Sequence, residues 1–241
     1  MPFCLIAFFV LLPVLAAAGE RFDLPSRPGV TQPIDATFIA GARASAILFP
    51  GGNGIYATGQ KNFLRRIVPD LLKSGFSVVT IDVPSDQAAG MSWAFRAGPE
   101  HARDILSVID FVKTRSPAPV WLIGTSRGSV SAANGAAAAG RRVGGVILTS
   151  SVWARGMAAV PMEKIVVPVL IVHNRDDGCP ESPFAGADSG IKRLTGAPAS
   201  QLVAVSGGLS RGDACQAMSP HGFLGIEKPV VDAMVQWISV H

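Results

Sequence analysis

Short, continuously apolar runs alternate with helically spaced stretches over most of this 241-residue chain. Residues 44–49 (ASAILF), 76–83 (FSVVTIDV), 119–124 (PVWLIG), 143–149 (VGGVILT), 168–173 (PVLIVH) and 201–205 (QLVAV) are strand-length runs with little polar alternation. A strand that is apolar on both faces must be covered on both faces, which is the situation of a parallel sheet between helices. Between these runs, Phe63, Leu64, Ile67, Val68, Leu71 and Leu72 recur with the spacing of one helix face, as do Ile105, Leu106, Val108, Ile109 and Val112. The pattern predicts helices over 63–72, 99–115 and 227–240, with Gly75 closing the first as a C′ residue. The Ala- and Gly-rich segment 132–140 reads as a helix packed closely on the sheet. Residues 34–40 add an early strand, and 19–33, rich in Pro, Arg and Gly, read as an extended N-terminal arm. The expected fold class is α/β, with a single domain over 34–241. No fixed period recurs, so a repeat array is excluded.

The first 18 residues stand apart. Residues 3–18 (FCLIAFFVLLPVLAAA) are an apolar run ending in small residues, and Ala16-Ala17-Ala18 before Gly19 fits a signal-peptide cleavage site. The run is short for a bilayer span, Pro13 interrupts it, and no basic stop-transfer flank follows. Residues 1–18 are therefore expected to be a cleaved export signal that leaves no membrane anchor, with a periplasmic or secreted destination. Composition narrows the rest. The chain is 49% apolar and 16% charged, which excludes a disordered protein. A net charge of +4, spread without a dense block, does not make a nucleic-acid footprint. Cys4 leaves with the leader, so Cys179 and Cys215 remain, in an oxidising compartment. Two cysteines without further ligands at zinc spacing do not make a metal site.

One motif gives the chemistry. The strand at 119–124 runs into Gly124-Thr125-Ser126-Arg127-Gly128 and then into a helix of small residues. G-x-S-x-G between a strand and a helix exposes the serine hydroxyl on a sharp, strained turn. Such a serine needs a base, and the base needs an orienting acid. Of the four histidines, His241 ends the chain, His101 opens a helix before the motif and His173 closes a strand. His221, in Ser219-Pro220-His221-Gly222-Phe223, remains as the base. The acid belongs on the loop after 168–173, where Asp176 and Asp177 both stand. Serine, then acid, then histidine is the chain order of α/β hydrolases.

On these motifs the sequence resembles the α/β-hydrolase superfamily over residues 34–241, and within it the small dienelactone-hydrolase-like and esterase members. The resemblance implies the α/β-hydrolase fold and a serine hydrolase that cleaves a carboxylic ester, lactone or thioester. In many relatives the acid strand ends in H-G-x-x-D. Here His173-Asn174-Arg175-Asp176-Asp177 puts Asp177 at the last position, with Asn174 in place of the glycine and Asp176 as the alternative acid. His221-Gly222-Phe223 matches a histidine context of the relatives. The loop Phe49-Pro50-Gly51-Gly52-Asn53-Gly54 resembles the H-G-G-G loop of esterases, with Pro50 where the histidine would stand. The expected oxyanion hole is the Gly52 and Arg127 N–H groups, with Asn53 close behind. This loop lacks a P-loop lysine and a ribose-binding acid, which excludes a nucleotide site, and no cofactor is implied. In such a fold the acid and histidine loops meet, so a Cys179 to Cys215 disulfide is expected beside the triad. Residues 150–167 are too few for a cap domain, so the site is expected to be lidless. Asn53, Trp93 and Trp153 are expected to line the pocket of a small-molecule ester, with Arg96, Arg127 and Arg155 as nearby sources of positive charge. The same residues also suit acyl transfer to an alcohol. A non-catalytic binding protein is the alternative of a different class, and the intact Ser126, Asp177 and His221 set weighs against it.

Overall fold

Every one of the six apolar runs becomes a strand, and the sheet they build gathers the motif loops at the C-terminal ends of its parallel strands. The computed structural model describes residues 19–241. The expected export signal at 1–18 lies outside the described residues. The strands are β1 (Glu20–Arg27), β2 (Val30–Thr37), β3 (Ala44–Phe49), β4 (Phe76–Ile81), β5 (Val120–Thr125), β6 (Gly145–Thr149), β7 (Val169–Asn174) and β8 (Ser200–Val205). They form one sheet in the order β1-β2-β4-β3-β5-β6-β7-β8. From β4 through β8 all pairings are parallel, while β1 and β2 add antiparallel.

Alternate residues of each central strand feed opposite faces of the sheet. Ile47, Phe49, Leu122 and Leu148 join one core, with α4 (Pro99–Arg115) and α5 (Gly128–Ala139). Ala46, Leu48, Trp121, Ile123 and Ile147 join the other, with α1 (Phe63–Arg66), α2 (Val68–Lys73) and α7 (Glu227–Val240). The helix of small residues lies close to the sheet as expected: a Cβ on Gly135 would come within 2.7 Å of Ile105 and 3.2 Å of Leu122.

Two elements differ from expectation. Residues 19–33, expected as an extended arm, are extended and also paired: β1 and β2 form an edge hairpin that turns at Gly29, φ 72°. Gln32, Ile34 and Ala36 face inward at every second position, the sign of a half-buried strand. Arg27 ties the hairpin to α4 through buried Asp104, 2.8 Å away. The helix expected over 63–72 divides at Ile67 (φ −90°, ψ 0°) into α1 and α2, because Pro69 has no N–H for the helical ladder. Gly75 then ends α2 with φ 85°.

Only single turns occupy the connection between β6 and β7, so nothing there caps the ends of the strands. Among the described residues no helix is long and apolar enough to cross a membrane.

Candidate active site

The turn from β5 into α5 holds Ser126 in the left-handed region, φ 52°. That backbone costs a non-glycine residue about 1–3 kcal/mol, so the surroundings must impose it. They do so through both motif glycines. A Cβ on Gly128 would lie 1.8 Å from the Phe49 carbonyl oxygen, and one on Gly124 would lie 2.4 Å from the Gly128 oxygen. The strand and helix therefore approach too closely for any side chain at either position. The Ser126 N–H donates to Thr149 O at 3.0 Å, and its carbonyl accepts from the Ser129 N–H and hydroxyl at 3.0 and 2.6 Å. Among the described residues Ser150 (φ 42°) and Phe223 (φ 56°) share this backbone region, and both flank the histidine loop. The Ser150 hydroxyl donates to the His221 carbonyl at 2.6 Å.

Of the two candidate acids, the fold brings Asp177 to His221. The His221 Nδ1–H faces Asp177 Oδ2 at 2.9 Å. Asp176 turns away, accepting from the Gly207 N–H at 2.6 Å. Asp177 Oδ1 accepts from the Cys179 N–H at 2.9 Å, and Oδ2 also accepts from the Ser182 hydroxyl at 2.9 Å. Burial alone would raise the Asp177 pKa. Hydrogen bonding from His173 and His221, the His221 charge and the Cys179 N–H outweigh it and hold the carboxyl well below the usual range. His221 Nε2 is buried and makes no hydrogen bond among the described residues, and His221 and Ser126 line one cavity. Cys179 and Cys215 form a disulfide.

Ser182 has no signature in the sequence and was not among the expected residues. It is wholly buried, and its hydroxyl stands 2.9 Å from both Asp177 Oδ2 and His221 Nδ1. His173 Nε2 donates to the Ser182 carbonyl at 2.8 Å and lies 3.5 Å from Asp177 Oδ2. His173 thus braces the acid loop from the end of β7.

The loop after β3 runs against Ser126: a Cβ on Gly51 would lie 2.8 Å from the Ser126 Cβ. Gly51 O accepts from the Gly54 N–H at 3.2 Å. A trans peptide directs N–H opposite to C=O, so the Gly52 N–H points away from that turn. Neither this N–H nor that of Arg127, at the start of α5, donates to another group among the described residues. Gly52, Arg127, Asn53 and Trp93 line the cavity of about 860 Å³ that holds Ser126 and His221. The Arg127 guanidinium lies over the Trp93 ring, 4.7 Å from its centroid. Trp153 does not line this cavity. It is 7% exposed, packs over Gly190 and donates its ring N–H to Ser151 at 2.8 Å, so it is a core residue. Arg155 stands exposed beside Glu181 at 3.5 Å, and Arg96 is buried beneath the loop. Among the described residues no group of three or more His, Cys, Asp or Glu side chains is placed to hold a metal ion.

No protein-family model matches the sequence, and no curated protein matches it. Solved structures do. A dienelactone hydrolase from Anabaena variabilis superposes with TM-score 0.67 at 16% identity, covering 92% of this chain and 98% of its own. A lidless α/β serine hydrolase from Xanthomonas campestris gives 0.64 at 16% identity, covering 95% and 97%. A cold-adapted esterase from an Arctic intertidal metagenomic library gives 0.63 at 16% identity, covering 90% and 92%. The fold is that of the α/β hydrolases. Within this α/β-hydrolase fold, Asn174 replaces the expected glycine for a visible reason. Its side-chain amide donates to Pro220 O at 3.1 Å and Gly207 O at 2.9 Å, and its Oδ1 accepts from the Asp176 N–H at 3.0 Å. One side chain joins the end of β7 to the histidine loop, which a glycine leaves unjoined.

Proposed function

We propose that the chain is a serine hydrolase that cleaves a carboxylic ester, lactone or thioester of a small molecule. The observation that carries this reading is the 2.9 Å contact between buried Asp177 and His221, whose ring lines one cavity with left-handed Ser126. His221 Nε2 takes the Ser126 proton as Oγ attacks the carbonyl carbon. The Gly52 and Arg127 N–H groups hold the tetrahedral oxyanion, each such donor supplying about 10²–10³ in rate. His221 then protonates the leaving alcohol, and water repeats the sequence on the acyl-enzyme while Asp177 fixes the imidazole tautomer. The uncapped strand ends admit water to the acyl-enzyme, which favours hydrolysis over transfer to an alcohol. The esterase and dienelactone hydrolase descriptions of the similar structures support the same chemistry. The disulfide between Cys179 and Cys215 supports export with residues 1–18 as the signal, to the periplasm or outside.

Labelling with a fluorophosphonate tests the reading. Folded wild-type protein is expected to take one label, mapped to Ser126, and Ser126→Ala none. An unlabelled, folded wild type overturns it.

A further inference from the structure

Arg96, on α3 (Trp93–Ala97), is 1% exposed and has no carboxylate within ion-pair distance among the described residues. A buried, unpaired charge costs several kcal/mol, so a fold that keeps one is using it or holding it in place with hydrogen bonds. Here the hydrogen bonds are few. Nη1 donates to the Ser131 hydroxyl at 2.8 Å, Nη2 stands 3.3 Å from Gly52 O and 3.4 Å from Pro50 O, and Nε has no partner. The packing is arranged around the guanidinium: a Cβ on Gly54 would lie 2.7 Å from Nη2. The charge that acts on it is a like one, that of Arg127 at the head of α5. Arg96 does not line the cavity, so it does not touch a substrate there.

The carbonyls of the loop after β3 are thereby accounted for in sequence. Pro50 O and Gly52 O turn to Arg96, and Gly51 O turns to Gly54. With those three peptide planes set, the Gly52 N–H has one direction. We infer that Arg96 is a positioning residue of the oxyanion hole: it fixes the Pro50 to Asn53 backbone, and its charge stabilises the oxyanion from behind. The inference rests on the hydrolase reading and extends it. Arg96 transfers no proton. As Ser126 Oγ bonds to the carbonyl carbon, the π electrons move onto the carbonyl oxygen. That new charge falls in the field of a guanidinium in a medium of low dielectric, where electrostatics are strong.

The two roles, packing and field, separate because they have opposite consequences. Replacing buried ionic groups by well-packed apolar side chains of similar volume is often neutral or stabilising, and Arg96 has no counter-charge to leave behind. The test compares Arg96→Met, Arg96→Lys and wild type for Tm, kcat and KM on p-nitrophenyl acetate, with fluorophosphonate labelling of each. The expected result is that Arg96→Met keeps or raises Tm, while kcat falls about 100-fold, the scale of one oxyanion donor, with KM within about threefold. Arg96→Lys, which keeps the charge without the fork, is expected to recover about tenfold of that loss. Should Arg96→Met fail to fold, a folded Arg96→Lys with kcat about tenfold below wild type and unchanged KM supports the inference equally. Wild-type kcat in a folded Arg96→Met overturns it, as does a kcat loss that only follows a fall in Tm in both variants. A wild type that neither labels nor hydrolyses overturns the hydrolase reading itself. An active, labelled wild type matched by Arg96→Met overturns the Arg96 inference alone.

Discussion

Ser182 stands between Asp177 and His221, the proposed acid and base, and its hydroxyl can donate only one proton. With His221 Nδ1 protonated toward Asp177, that proton goes to the Asp177 carboxylate, which then accepts from Cys179, Ser182 and His221. A hydrogen bond to a charged acceptor contributes about 1.5–3 kcal/mol, and a carboxylate missing one is looser and less acidic. Ser182→Ala is therefore expected to lower kcat about tenfold with little change in KM, because the carboxylate that orients the His221 ring is held less firmly. Steady-state kinetics check it, and an unchanged kcat would remove Ser182 from the machinery. Ser126 and His221 can be picked out of the sequence because their motifs carry spacing and chain order, while only the fold separates Asp177, which meets His221, from Asp176, which meets Gly207. Ser182 was not legible, because a serine five positions after an aspartate has no signature until the loop folds back. Trp153 misled for a related reason. A tryptophan just past a strand end suits a pocket wall and a core equally, and only the absence of a side chain on Gly190 shows where the ring goes.

At the scale of elements, α4 and α7 could be read to the residue because their apolar residues keep one helix face, and Pro99 opens α4 where a missing N–H costs nothing. The β1–β2 hairpin was hidden by its Pro, Arg and Gly content, which is the composition of an arm as well as of a charged edge strand. The disulfide acts at this scale too. It joins the loop after β7 to the loop before α7 across 36 residues of sequence, and closing such a loop stabilises by about 4 kcal/mol in the chain-entropy model. Cys179 also donates its N–H to Asp177, so the bridge and the acid share a residue. Cys215→Ser is expected to lose about 3–4 kcal/mol in urea unfolding and to lose activity before the global transition, as the histidine loop loosens first. Coincident loss of activity and structure in the variant would show that the bridge acts on the whole fold alone.

For the molecule as a whole, two buried groups link stability to pH in separate windows. His101, in the first turn of α4, is fully buried, with neither ring nitrogen hydrogen-bonded among the described residues, and it packs 5.3 Å from the Phe95 ring. Its nearest carboxylate, Asp104 at 4.0 Å, is engaged by Arg27 at 2.8 Å. Burial first, then the charges of Arg96 and Arg27, push the His101 pKa down to about 3. The unfolded chain therefore takes up this proton first, from pH about 6.5 downward, and each unit of acidification costs the fold about 1.4 kcal/mol until the folded state also binds it. Asp177 works lower. Its folded pKa is depressed, so its contribution is complete above about pH 4 and is lost only as pH falls below that. Urea unfolding of wild type is expected to weaken steadily between about pH 6.5 and 4 and more steeply below. His101→Leu removes the only one of these two groups that titrates in the upper window, so its stability should stay nearly flat there and then fall with the carboxylates. Parallel curves for the two proteins from pH 7 to 4 would mean that His101 takes up its proton equally in both states, and the buried, neutral imidazole would have to be abandoned.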